Sequence, residues 1–96
     1  MKVEFDADVV EWRGPAPYVF ARMPEPEAAQ LREIAAAATY GWGCIPAVVK
    51  IGDTVFTTSL FPREGGYLVP VKKAVQQAEG VTVGDVVRVG VQIEAG

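Results

Sequence analysis

Two lysines fall at the start of a short amphipathic segment, where a helix does not favour positive charge. The stretch GGYLVPVKKAVQQAEG, residues 65–80, predicts a short helix that opens at Pro70. Lys72 and Lys73 lie in its first turn and Glu79 in its last, the reverse of what the helix dipole favours. Free backbone N–H groups, two ammonium groups and a flexible diglycine are the ingredients of a phosphate or carboxylate site.

Three further residues complete the predicted site. Trp42 lies between two glycines, an arrangement that suits either a lid over a ligand or a plug at one end of a barrel. With Arg63, Tyr67, Lys72 and Lys73, it is predicted to line a rim that receives a small anionic ligand or an acidic segment of a partner protein. We therefore expect a binding module in preference to an enzyme.

A rival hypothesis is a hydrolase-like enzyme. The chain has no histidine, which removes the commonest general base and every triad built on imidazole. Ser59 or Cys44 with a lysine base such as Lys72 would form a nucleophile that needs no imidazole. Packing for Cys44 and a backbone hydrogen bond for Ser59 are simpler roles, so no catalytic residue is assigned.

Acidic residues in the first predicted strand raise the hypothesis of a metal site, which has less support in the sequence than the anion site. Glu4, Asp6 and Asp8 share one face of a predicted strand, where carboxylates could hold a hard cation, although a solvated face is the simpler interpretation. The same face, or Glu64, could instead neutralise the two lysines of the second helix, as could solvent screening. One cysteine excludes an internal disulfide and a multi-cysteine zinc site within one chain. No metal and no cofactor are therefore predicted.

Length and charge limit the class of protein. Ninety-six residues with 50% hydrophobic and 22% charged composition predict one globular domain over residues 1–96. A net charge of −3 repels phosphate backbones, which disfavours nucleic acid as a partner. The sequence has no signal-peptide pattern and no apolar run near the ~18 residues of a membrane span. We therefore expect a cytoplasmic protein that does not enter a membrane.

Periodicity predicts two hairpins and one helix in the first two thirds of the chain. Residues 2–13 alternate like a half-buried strand, and residues 18–23 are predicted to pair with them. A helix then begins near Pro26 and ends at Gly41. Two further strands flank Gly52 and Asp53, a pair of residues typical of a tight turn. The predicted buried residues are Val3, Phe5, Ala7 and Val9 in the first strand and Ala28, Leu31, Ile34, Ala35 and Ala38 in the helix.

The last third is predicted to contain a loop, a short strand, a helix and a final strand. The letters PREGG predict the loop and YLV the short strand. The second helix is predicted to end at Gly80, and Gly84 and Asp85 to turn the chain into the final strand. The predicted buried stripes are Val71, Ala74, Val75 and Ala78 in the helix and Val87, Val89, Val91 and Ile93 in the strand.

About six strands and two short helices predict a mostly β fold of the α+β class. Closure removes exposed strand edges, so we expect a small closed or partly open β-barrel with two capping helices. A third functional hypothesis is a structural self-association domain, in which strand edges or the alanine-rich helix pair two copies as a homodimer.

Three stretches carry a family resemblance. YGWGCIPAVVKIGDTVFTTSLFP, GGYLVPVKKAV and GVTVGDVVRV, in this order, resemble the bacterial domain-of-unknown-function family 1905, from about Val3 to Ile93. The resemblance implies a compact, largely β-barrel domain found alone or ahead of a bacteriocin-protection-type domain, and it implies no reaction. Cys44 and Gln76 stand where relatives are expected to carry basic residues, so an anion site there would be depleted in this chain.

Overall fold

The computed structural model describes residues 1–12, 18–38 and 44–93. These residues form six strands and two helices. In chain order they are β1 (Lys2–Trp12), β2 (Tyr18–Arg22), α1 (Glu25–Ala38), β3 (Ile45–Ile51), β4 (Thr54–Arg63), β5 (Gly66–Pro70), α2 (Lys73–Glu79) and β6 (Val86–Gln92).

The six strands close into one antiparallel barrel in the order β1-β2-β5-β4-β3-β6. Pairing of β1 with β6, from Lys2 opposite Gln92 to Asp8 opposite Val86, completes the closure. The predicted barrel with two helices is therefore confirmed, in its closed form. Every described strand has two neighbours, although residues 54–60 of β4 pair with β3 alone.

Alternate residues of each strand point into the barrel and form its core. The predicted inward set of β1, namely Val3, Phe5, Ala7 and Val9, is buried as expected. Leu31 of α1 and Leu60 of β4 are fully buried against the same core. Burial of each such aliphatic side chain contributes about 1.5–3 kcal/mol, which makes this core the main source of stability.

Two hairpin turns join β3 to β4 and β4 to β5. Gly52 has a φ of 59°, and the predicted turn at Gly52 and Asp53 is confirmed. At the second turn Glu64 and Gly65 both have positive φ, 52° and 79°, as a type I′ hairpin turn requires. The predicted PREGG loop is wrong in extent, because β4 continues through Pro62 and Arg63 up to that turn.

The two helices lie at opposite ends of the barrel. In α1, Arg32 donates a hydrogen bond to the carbonyl oxygen of Gly65, at the β4–β5 turn. In α2, the Glu79 carboxylate accepts a hydrogen bond of 2.6 Å from the hydroxyl of Thr54, at the β3–β4 turn. Since β4 runs from one turn to the other, the two helices cap different ends of the barrel.

The second helix begins later than predicted. Pro70 does not open it, because Pro70 is the last residue of β5 and pairs with Phe20 of β2. The helix starts at Lys73 and ends, as predicted, at Gly80, a C-cap with the left-handed conformation. Within α2 Val75 is buried as predicted, whereas the predicted burial of Ala74 and Ala78 is wrong, since both are exposed.

Candidate functional site

Two apolar side chains on the outer face of the barrel are buried without belonging to its core. Phe20 of β2 and Leu68 of β5 are each 8% exposed, yet neither belongs to the core cluster. Their chain neighbours Ala21 and Val69 are fully buried within that cluster. Because successive side chains of a strand point to opposite faces, Phe20 and Leu68 point outward. Another group must therefore shield them from solvent.

A cation–π contact crosses this outer face. The guanidinium carbon of Arg63, on β4, lies 3.7 Å from the centre of the Trp12 ring, on β1. In the barrel β4 and β1 are separated by β5 and β2, the strands that carry Leu68 and Phe20. The two long side chains thus meet across the intervening strands. The outer-face residues Trp12, Phe20, Arg63 and Leu68 are called the outer cluster below.

The outer cluster surrounds an open pocket of about 740 Å³. This volume lies within the range of small-molecule sites, which is about 300–1,000 Å³. Arg22 also lines the pocket, as do Pro24 and Glu25 where the chain enters α1. The pocket therefore combines an apolar floor with two guanidinium groups and three carboxylates at its walls, the latter from Glu11, Glu25 and Glu64.

Some charged residues around the pocket form ion pairs and others do not. Glu25 forms an ion pair of 2.6 Å with Arg32. The hydrogen bond and positive charge of Arg32 lower the pKa of the Glu25 carboxyl. The same hydrogen bond raises the pKa of Arg32. Arg22 and Arg63, by contrast, form no ion pair within the described part of the chain. Glu64 at the β4–β5 turn is exposed and also lines the pocket. The two guanidinium groups of Arg22 and Arg63 therefore share the pocket with the carboxylates of Glu11 and Glu64.

Of the five predicted site residues, Arg63 and Tyr67 lie together. Both line the pocket, although Tyr67 is 7% exposed and belongs to the core cluster. The carbonyl oxygen of Tyr67 accepts a hydrogen bond of 3.1 Å from the backbone N–H of Met23, which fixes the entry to α1. Trp42, the predicted lid or plug, lies outside the described residues.

Lys72 and Lys73 lie apart from this pair. Strand β5 starts beside Arg63 at the β4–β5 turn and runs to the other end of the barrel, and both lysines follow it. Neither lines the pocket, so the structure does not form one rim from all five predicted residues. Lys72 is the N-cap of α2 without a side-chain capping bond, and both lysines are exposed. Anion binding at these lysines stays a prediction.

The acidic residues proposed as partners of these lysines are used elsewhere or lie far away. Arg88 forms ion pairs of 3.7 Å with Glu4 and 3.3 Å with Asp6. Glu64 is at the opposite end of β5 from the lysines. The ion-pair explanation is therefore wrong for Glu4 and Asp6, whereas screening by solvent agrees with the exposure of Lys72 and Lys73.

The position of Glu79 in the last turn of α2 has a structural explanation. One carboxylate oxygen accepts the Thr54 hydroxyl at 2.6 Å, and the other is 3.4 Å from the backbone N–H of Asp53. These bonds tie the helix to the β3–β4 turn. The charge is unfavourable for the helix dipole but fastens the helix to the barrel.

The two candidate nucleophiles, Ser59 and Cys44, do not line the pocket. Ser59 is half-buried on the outer face of β4, and Cys44 is half-buried immediately before β3. Among the described residues, no group of three or more acidic or cysteine side chains is arranged to hold a metal ion. No helix in the described ranges is both long and apolar enough to cross a membrane.

Sequence reasoning missed Trp12, Phe20 and Leu68. A signal was present in β1, whose outward residues are polar from Lys2 to Asp8 and then become apolar at Val10 and Trp12. When the outward-facing residues of one strand change from polar to apolar, the apolar part indicates a surface that is covered or that binds a partner. The partner of Trp12 could not be found in this way, because it depends on the order of the strands.

Comparison with known proteins identifies a family over most of the chain. The family model described as "Domain of unknown function (DUF1905)" matches residues 5–91, which include all six strands and both helices at least in part. No curated protein matches the chain.

Proposed function

The chain belongs to the DUF1905 domain family, and we propose that it is a binding domain whose outer pocket receives a ligand with an anionic group and an apolar part. The ligand is a small anion or an acidic segment of a partner protein. The chain acts by binding and not by catalysis. The single cysteine suits a reducing compartment, so we place this activity in the cytoplasm.

The observation that carries this proposal is the stacking of Arg63 on Trp12. A guanidinium group that lies on an aromatic face keeps its N–H donors along its edge. That edge can bind a carboxylate with two parallel hydrogen bonds, a stronger and more directional contact than a lysine offers. Trp12 thus holds Arg63 in one orientation, which lowers the entropy lost when an anion binds.

The floor of the pocket explains why the ligand needs an apolar part. Phe20 and Leu68, each 8% exposed, form the floor of the pocket, and Trp12, which is 38% exposed, supplies accessible apolar surface beside them. Each methylene group that a ligand buries there contributes about 0.8 kcal/mol. A bare phosphate ion would use the guanidinium groups alone, so an aryl or alkyl carboxylate is expected to bind more tightly.

The test is a titration followed by heteronuclear NMR. Phenylacetate, inorganic phosphate and the neutral analogue phenylacetamide are added separately to the labelled protein. Phenylacetate is expected to shift the signals of Trp12, Arg63 and Leu68, and phenylacetamide to bind at least tenfold more weakly. Arg63→Gln is expected to abolish the difference between the two compounds.

A matched variant controls for general charge. Arg88→Gln removes an exposed arginine that lies outside this pocket, so it is expected to leave phenylacetate binding unchanged. Equal binding of phenylacetate and phenylacetamide to the unmodified protein, or no shift at the outer cluster with any compound, would overturn the proposal.

A further inference from the structure

Strand β4 has an edge that no other strand covers. Strand β5 pairs with three residues at the far end of β4, whereas residues 54–60 pair with β3 alone. Ile51 and Thr54 close a two-residue hairpin, so every second residue from Thr54 onward bonds to β3. The backbone N–H and C=O groups of Val55 and Thr57 therefore point away from β3. No strand within the described residues pairs with these groups.

The sequence of this edge favours pairing with another chain. TVFTTSL, residues 54–60, contains four β-branched residues and no charged residue, proline or glycine. Val55, on the outer face, is 61% exposed. Charged residues and prolines commonly protect an exposed strand edge, and a covering helix or loop is the alternative. This edge has only the alternative available.

Helix α2 occupies the place beside β4 that β5 leaves. The chain leaves β5 at Pro70, and α2 then packs against β4 more than against any other strand. The barrel wall is looser here, because the inward side chains of Thr54, Phe56 and Thr58 are half-buried, whereas every inward side chain of β3 is buried. We propose that α2 is the cover that prevents this edge from pairing with a second copy of the chain. The proposal does not depend on the outer pocket.

Glu79 holds α2 in this position. The helix has seven residues, too few to persist without packing, and Val75 is its buried residue. The Glu79 carboxylate accepts the Thr54 hydroxyl at 2.6 Å and lies 3.4 Å from the backbone N–H of Asp53. Gly52 leaves room for this contact, because a Cβ there would lie 1.8 Å from a Glu79 carboxylate oxygen. Loss of the carboxylate, or of the space at Gly52, therefore releases the helix from β4.

A released edge pairs two copies of the chain through identical strands. Pairing of the same surface patch on two copies gives a two-fold symmetric dimer. Since β5 occupies the edge from Phe61 onward, the symmetric antiparallel pair is centred on Phe56. Val55 of each copy then lies opposite Thr57 of the other, and the four free N–H groups meet the four free C=O groups. No charged residue lies between positions 54 and 60 to oppose this contact.

The test is hydrogen exchange and sedimentation velocity of the whole protein over a range of concentrations. Glu79→Ala is expected to raise the fraction of chains with α2 released about fivefold, so the backbone amides of α2 exchange about fivefold faster. Because a dimer needs two released copies, its apparent dissociation constant is expected to fall about 25-fold. Gly52→Ala is expected to have the same two effects.

A glycine at the other end of β4 supplies the matched control. Gly65 also has a positive φ, 79°, but an added Cβ there would meet nothing within 4 Å. Gly65→Ala therefore strains a turn without displacing Glu79, and it is expected to leave association unchanged. Thr57→Lys adds a charge to the pairing edge, so the double variant Glu79→Ala/Thr57→Lys is expected to associate no more than the unmodified protein.

Three results would overturn the proposal. The first is a Glu79→Ala protein that associates no more strongly than the unmodified protein. The second is association that Thr57→Lys does not suppress, because the contact would then lie elsewhere or come from unfolded chains. The third is equal association of Gly52→Ala and Gly65→Ala, which would show a general loss of stability and not the loss of the Glu79 contact.

Discussion

Arg63 and Trp12 are 51 positions apart in the chain, and the Arg63 guanidinium carbon lies 3.7 Å from the centre of the Trp12 ring. Their strands, β4 and β1, are not neighbours in the barrel. The contact therefore passes over the outer face of β2 and β5 and is not a pair between neighbouring strands. It lies on the same outer face as Phe20 and Leu68, which are buried outside the core cluster, and we therefore propose recognition at this face.

Replacement of Arg63 is expected to affect binding more than folding. An exposed cation–π contact is worth about 0.5–1 kcal/mol, so Arg63→Ala is expected to lower the free energy of unfolding by about that amount. Arg63→Lys keeps the charge but loses the planar stack and the paired donors, and it is expected to weaken phenylacetate binding about tenfold. Urea unfolding and NMR titration measure the two effects. A lysine variant that binds as well as the unmodified protein would contradict the stacking explanation.

The link between Glu79 and Thr54 is expected to stabilise the barrel. Glu79→Ala and Thr54→Val each remove one side of a charge-assisted hydrogen bond that is partly open to solvent, so each is expected to cost about 1 kcal/mol. The double variant is expected to cost little more than either single variant. A double-mutant cycle by urea unfolding measures the coupling. Additive losses would show that the two groups act independently.

Lys72 is expected to be a poor N-cap. Lys72→Asp would supply the capping acceptor that α2 lacks and would replace a positive charge with a negative one at the helix start. The free energy of unfolding is expected to rise by about 1 kcal/mol, as measured by urea unfolding. Lys73→Ala provides the comparison, with an expected change of a few tenths of a kcal/mol. Loss of phosphate binding in Lys72→Asp would instead support the anion site that the sequence suggested.

The Glu25–Arg32 pair is expected to make a small contribution that depends on pH. The pKa of Glu25 is lowered in the folded state by the hydrogen bond and charge of Arg32. The contribution is therefore fully present above the ordinary glutamate pKa and is lost as the pH falls through the lowered value. A carboxyl NMR titration of Glu25 is expected to show the lowered pKa, and Arg32→Ala to restore the ordinary one. An unchanged Glu25 pKa in that variant would contradict the pairing.

Local patterns were sufficient to predict the barrel but not its outer site. Alternation predicted which residues of β1 face the core, and Gly52 with Asp53 predicted a turn, since both depend on neighbouring residues alone. Pro70 was ambiguous because proline can open a helix or end a strand, and its position at the end of β5 became clear from the pairing with Phe20. Local signals cannot distinguish these two outcomes.

The candidate site depended on contacts between distant parts of the chain. The sequence predicts that Arg63 shares one rim of the barrel with Lys72 and Lys73. The direction of β5 carries the lysines to the other end of the barrel, and the strand order brings Trp12 to Arg63 instead. Closeness in the sequence thus did not predict closeness in the structure for Arg63 and the two lysines, which β5 separates.

The most direct measurement is the shift of two side-chain NMR signals, the Trp12 indole N–H and the Arg63 Nε–H, as phenylacetate is added. Our account predicts that both signals shift together with one dissociation constant and that phenylacetamide needs at least tenfold higher concentrations to shift them. Signals that stay fixed at Trp12 and Arg63, while those of Lys72 and Lys73 move, would contradict it.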